Sequence, residues 1–242
     1  MKTKQNMKSK QNPSSRHRRA ALALLVSAMP ASAATISENA TISGEGVPYK
    51  WEVGLSGNDS ATVIRHVGAW SWEDNALFAS GENPVGWTHT SDWLKLSLSD
   101  PATFTLTLSR ELNVAWPSGG DPTRTTGSSA SFFPSFTIYS GIDTTGTQDH
   151  TYNNKPGFDA LDTGAIGWAD PLYLAHVDNS TLESVSLTLS LAAGDYSIAL
   201  GSNAPATDAN RQGYRALLTT VPEPGSLAFL ALTGLAALRR RR

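Results

Sequence analysis

Between Ser37 and Thr220 the chain alternates polar and apolar residues in short stretches divided by Gly, Pro, Asn, Asp and Ser. Trp93 to Leu98 alternates, Ser99-Asp100-Pro101 turns, and Ala102 to Leu108 alternates again. Successive side chains of a strand point to opposite faces, so each run has one apolar face to bury, and the pair reads as a hairpin. Val185 to Leu191, the Ala192-Ala193-Gly194 turn and Asp195 to Leu200 read as a second hairpin. Further strands are expected over Thr41 to Val53, Ala61 to Val67, Phe136 to Tyr139, Leu172 to Val177 and Tyr214 to Thr220. No stretch of this region sustains a 3.6-residue period, so few helices are expected.

Some eight short strands, each apolar on one face, close a core by stacking two sheets. The fold class expected is therefore all-β, an antiparallel β-sandwich of jelly-roll-like form. The segment Leu187 to Ala204 is similar to the closing hairpin of bacterial pre-peptidase-type and carbohydrate-binding β-domains. Gly/Ser/Thr-rich stretches at Ser118 to Ser131 and Gly141 to Gly167 are placed at the sandwich edges, where function concentrates.

The two ends depart from this pattern. Lys2, Lys4, Lys8, Lys10, Arg16, Arg18 and Arg19 precede an apolar run from Ala20 to Met29, Pro30 breaks it, and Ala31-Ser32-Ala33 supplies the small residues read by signal peptidase. Residues 1–33 thus read as a signal peptide for the secretory translocon, cleaved after Ala33. Residues 34–220 form the β-sandwich domain and residues 221–242 a tail. The tail holds Pro222-Glu223-Pro224, an apolar stretch from Leu227 to Leu238, and Arg239, Arg240, Arg241 and Arg242. Two prolines keep the tripeptide extended. The apolar stretch, as a short helix, spans only about 18 Å against a hydrocarbon core of roughly 30 Å. The arginines are expected to stay on the cytoplasmic side.

This tail closely resembles the PEP-CTERM sorting signal of Gram-negative bacteria, a tail that also goes under the name of an ice-binding protein C-terminal segment. The resemblance implies an exosortase as processing partner, with Pro222-Glu223-Pro224 as its recognition element. It also implies a transient inner-membrane precursor, then a cell-surface or extracellular-matrix protein.

Charge narrows the partners. Setting aside the seven basic residues of the leader and the four terminal arginines leaves 8 basic against 21 acidic residues, a net charge of about −13. Such a domain is unsuited to nucleic acid, where basic patches supply most of the affinity. With no cysteine there is no disulfide, thiolate nucleophile or Cys-based zinc site.

Three constellations are candidates for chemistry. Trp70, Trp72 and Trp87, with Trp51 and Trp93 near them, either fill the core or stack on sugar rings, since indoles suit both roles. His66 and His89 are candidate metal ligands, because neighbouring strands that bring two imidazoles together suit copper or zinc. The Trp87-Thr88-His89 spacing is similar to that in surface copper-binding proteins of methanotrophs, where a modified tryptophan joins two histidines at the metal. Asp143, Asp149, Asn153, Asn154, Asp159, Asp162 and Asp170 supply oxygens that suit either solvated turns or a calcium ion. No H-E-x-x-H, G-x-S-x-G, P-loop or dinucleotide motif is present. The function expected is a noncatalytic surface protein making adhesive or polysaccharide contact. The alternatives are a copper- or calcium-binding surface protein and a secreted glycan hydrolase.

Overall fold

The computed structural model describes residues 33–38, 49–69, 71–73, 86–87, 90–116, 123–126, 132–142, 172–178, 181–203 and 211–223. These contain twelve strands and no helix: β1 (Thr35–Glu38), β2 (Tyr49–Leu55), β3 (Asp59–Val67), β4 (Trp72–Glu73), β5 (Gly86–Trp87), β6 (Asp92–Leu98), β7 (Ala102–Arg110), β8 (Pro134–Ser140), β9 (Leu172–Val177), β10 (Ser184–Leu191), β11 (Gly194–Ser202) and β12 (Gln212–Pro222). A six-stranded sheet, β1-β2-β6-β11-β8-β9, and a four-stranded sheet, β10-β7-β12-β3, make the expected sandwich; β4 and β5 pair separately. All pairings are antiparallel except β2 with β6, which is parallel.

Most strands fall where alternation places them, although of the expected Thr41 to Val53 strand only Tyr49 onward, in β2, lies within the described residues, and β1, β4 and β5 were not expected; the two expected hairpins do not form. β6 pairs with β11 and β2, whereas β7 pairs with β10 and β12. The Ser99-Asp100-Pro101 turn therefore crosses from one sheet to the other, and so does the turn between β10 and β11. The two arches stack, with Leu98 opposite Gly194 and Ala102 opposite Leu191. The apolar faces explain this outcome: strands of an arch both point them into the space between the sheets, about 10 Å deep, which a short turn can span. Gly194, at φ 148°, supplies a backbone conformation that other residues rarely adopt.

The core is this shared space. Leu94, Leu96, Phe136, Ile138, Ile198 and Leu200 come from the six-stranded sheet and meet Val63, Phe104, Leu106, Leu108, Ala216 and Leu218 from the other. Burying each large side chain contributes about 1.5–3 kcal/mol. One polar column crosses the core. The Trp51 indole N–H donates to Tyr214 Oη at 2.9 Å, Tyr214 donates to Asp92 Oδ2 at 2.9 Å, and Arg65 holds Asp92 Oδ1 at 2.7 Å. Burial raises the Asp92 pKa above the ordinary carboxylate value, against the pull of Arg65 and the Tyr214 hydrogen bond.

β12 runs two residues into the stretch that the sequence assigns to the tail: Val221 lies opposite Thr103 and Pro222 opposite Ala102. Glu223 follows directly, its Oε1 accepting from Thr103 Oγ1 at 3.4 Å. Among the described residues no helix is long and apolar enough to cross a membrane. The apolar stretch Leu227 to Leu238, expected as a short helix, lies outside them, as does the leader up to residue 32.

Candidate functional site

The outer face of the four-stranded sheet is a row-and-column array of small polar side chains. Register aligns Thr188, Thr105, Thr219 and Ser60 in one row and Ser186, Thr107, Leu217 and Thr62 in the next. Thr105 and Thr188 hydroxyls lie 2.8 Å apart, and Thr107 and Ser186 hydroxyls 3.0 Å apart. The face ends at His66 on β3, opposite Gly213 on β12.

Over that end lies an arm. After β7 the chain continues through residues 111–116 and returns through 123–126, joined by an Ala115–Thr125 bridge. Trp116 N donates to Arg124 O at 2.7 Å, Thr126 N to Val114 O at 2.8 Å, and Glu111 N to Gly213 O at 3.0 Å. Gly213 makes room for it. A Cβ there would collide with the Glu111 carbonyl and lie 2.6 Å from Val114 Cγ2 and 2.9 Å from Thr126 Oγ1.

The arm sets Trp116 beside His66, ring centroids 5.7 Å apart. The Arg124 guanidinium carbon stands 3.8 Å from the centroid of the Trp116 ring, and that of Arg211 5.9 Å away, both within cation–π range. Three of the four tryptophans with described side chains are buried, Trp51, Trp72 and Trp93, while Trp116 is partly exposed. Burial first, then the charges of Arg65 and Arg211, push the His66 pKa down to about 4, so the imidazole is neutral at pH 7. Its Nδ1 is buried without a hydrogen-bond partner among the described residues. The site thus joins one indole, two guanidinium groups and a neutral imidazole at the edge of a hydroxyl-lined face.

The sequence-derived candidates are dispersed. Trp72, which the sequence left open between core and ligand contact, is fully buried on the outer side of the six-stranded sheet. Its Nε1 donates to Thr137 Oγ1 at 3.0 Å and its ring lies 5.7 Å from that of His176. The backbone of Trp87 pairs with that of Trp72, but Trp70, His89 and the Trp87 side chain lie outside the described residues. His66 and His176 sit on the outer faces of opposite sheets, His176 opposite Thr137 on β8, and so cannot share an ion. Among the described residues no three His, Cys, Asp or Glu side chains are grouped to hold a metal. The expected calcium ligands from Asp143 to Asp170 lie outside these residues, as do Ala31, Pro224 and Arg239 to Arg242; Ala33, Pro222 and Glu223 are within them.

Trp116, Arg124 and Arg211 escaped the sequence reading, because nothing local links positions so far apart. The available signal was scarcity: only 8 basic residues lie between the leader and the terminal arginines, so each of them is itself informative.

No curated protein matches the chain. Two solved structures are similar in part. CorA, a surface-associated copper-binding protein important in Methylomicrobium album BG8 copper acquisition, is 14% identical with a TM-score of 0.40, over 66% of this chain and 92% of its own. MopE, a secreted Methylococcus capsulatus protein in which an oxidized tryptophan facilitates copper binding, is 11% identical with a TM-score of 0.32, over 67% of this chain and 84% of its own. The PEP-CTERM protein-sorting motif matches residues 220–242. The chain therefore carries a PEP-CTERM sorting signal on an all-β sandwich, and it is an exosortase-sorted protein exported past the inner membrane to the cell surface.

Proposed function

We propose that the sandwich is a noncatalytic adhesion module that contacts polysaccharide through the Trp116 end of its four-stranded sheet. The carrying observation is the partly exposed indole, fixed by the arm at one end of an outer sheet face that carries threonine and serine hydroxyls beside Ile64, Leu217 and Arg215. An indole offers apolar surface to a sugar ring, and the neighbouring polar groups fix its orientation. An array of surface glycans probed with the mature exported protein tests this. Binding is expected for polymers of the cell surface and is lost in Trp116→Ala; binding that survives this substitution refutes the assignment. Release of reducing ends from any bound polymer would support the glycan hydrolase alternative instead.

A metal-binding reading has one observation in its favour. His66 is neutral at pH 7, the form that ligates metal, and its buried Nδ1 has no partner among the described residues. Against it stand the positive charges of Arg65 and Arg211, which repel a cation. Titration with copper, and separately with calcium, decides it: one equivalent of copper lost in His66→Ala or His89→Ala favours copper, and the polysaccharide reading predicts neither.

A further inference from the structure

Among the described residues seven are Lys or Arg, and four of them are paired with carboxylates. Arg65 pairs with Asp92 and Glu38, Lys95 with Glu52, Arg110 with Glu183, and Arg215 with Glu111. Arg124 and Arg211 are different: among the described residues neither has a carboxylate or a hydrogen-bond acceptor, and both lean on Trp116. In a domain with a net charge of about −13, two guanidinium groups on one ring concentrate positive charge at the arm end.

We propose that the arm end of the four-stranded sheet is a binding site for an acidic sugar, with Arg124 and Arg211 taking its carboxylate. The proposal rests on the polysaccharide reading and adds the charge of the ligand. A guanidinium that stacks on an indole uses its flat face, and its N–H donors lie in the plane, still directed outward for a carboxylate. Both groups stand on the same ring, under about 10 Å apart from the two centroid distances, within the reach of one sugar unit and its carboxylate. Among the described residues the nearby carboxylates are engaged, while Asp121 and Asp208 lie outside them. Glu111 at the root of the arm is held by Arg215 at 2.7 Å, and Asp92 and Glu38 are held by Arg65. His66 closes the inner side as a neutral polar ring, adding no negative charge. Exposed Thr62 lies on the same face of β3, beyond Ile64, and suits sugar hydroxyls.

The test uses the mature exported protein, recovered from the cell surface, and a matched pair of probes: an oligogalacturonate and its fully methyl-esterified form. The two share backbone and hydroxyls and differ in charge. Calorimetric titration is expected to show the acid form bound at least about tenfold more tightly than the ester, with affinity falling as salt rises. Arg124→Ala with Arg211→Ala should erase that preference, whereas Lys95→Ala, on the six-stranded sheet, should preserve it; a thermal melt checks that each variant is folded. Equal affinity for acid and ester, no binding of the acid, or undiminished preference in the double arginine variant overturns the proposal. Neutral glycans bound through Trp116 with no acid preference would overturn it while leaving the polysaccharide reading intact. Loss of all glycan binding on the array would remove both.

Discussion

Tyr214→Phe removes one oxygen from the middle of the polar column and leaves two buried groups without their partner. In the parent, that oxygen accepts from the Trp51 indole and donates to the Asp92 carboxylate, both at 2.9 Å. Burial keeps the phenol protonated, its pKa well above 10, so it is a donor at any working pH. A hydrogen bond to a charged acceptor contributes about 1.5–3 kcal/mol, and an orphaned buried N–H costs about 1–3 kcal/mol. Coupling within one column makes the two less than additive, so the expected loss is about 2–5 kcal/mol. With a urea slope near 2 kcal/mol per molar, the midpoint should fall by about 1–2.5 M at pH 7. The pH dependence has a definite sign. Asp92 already has a raised folded-state pKa, chiefly from burial, and loss of its donor raises it further. A group with a raised acidic pKa is least costly when protonated, so the difference between variant and parent should shrink as pH falls from 7 toward 5. A midpoint change below about 0.5 M, or a difference that widens on acidification, would show that the column is not a stabilising element.

Three other outcomes follow from the same geometry. Gly213→Ala should cost about 1–3 kcal/mol by overpacking and lift the arm: hydrogen exchange at residues 111–116 should quicken while the far-ultraviolet spectrum stays that of a β protein. His66 has a folded-state pKa near 4 against an ordinary 6.5, so below pH 6.5 the unfolded chain takes up a proton that the fold refuses, and stability should decline between about pH 6.5 and 4. His66→Gln should flatten that decline, by about 1 kcal/mol after allowance for the partial exposure of the ring, as denaturant midpoints across the pH range will show. Glu223→Ala should leave a precursor that keeps Arg239 to Arg242 in the inner-membrane fraction, whereas intact mass should show them absent from the parent at the surface; a parent that retains them would falsify processing.

Strand positions were legible because burial of one face writes a period of two into the sequence. Leu172–Val177 matches its expected bounds, and Asp59–Val67 and Pro134–Ser140 enclose theirs. Pairing was not legible. Trp93 to Leu98 and Ala102 to Leu108 present the same alternation whether they lie side by side or face each other across a core, and only the competing partners β10 and β11 decide. The same limit governs the site. The tail is a contiguous pattern, so it could be read residue by residue, whereas His66, Trp116, Arg124 and Arg211 meet only because an arm folds over a glycine. Trp72 shows the converse: its place among three nearby tryptophans left core and sugar platform both open, and its contacts are those of a core residue.

A single strand measures the distance between export and contact. β12 begins one residue after Arg211 and ends at Pro222, the first residue of the sorting tripeptide. Eleven extended residues span about 36 Å. The strand lies between β7 and β3, so it is held taut along its length and serves as a rigid ruler rather than a tether. The tripeptide begins at one end of the strand, and Arg211 stands just before the other. Lengthening the segment after Pro222 would alter how the protease is approached but not this standoff, which is set by the strand itself.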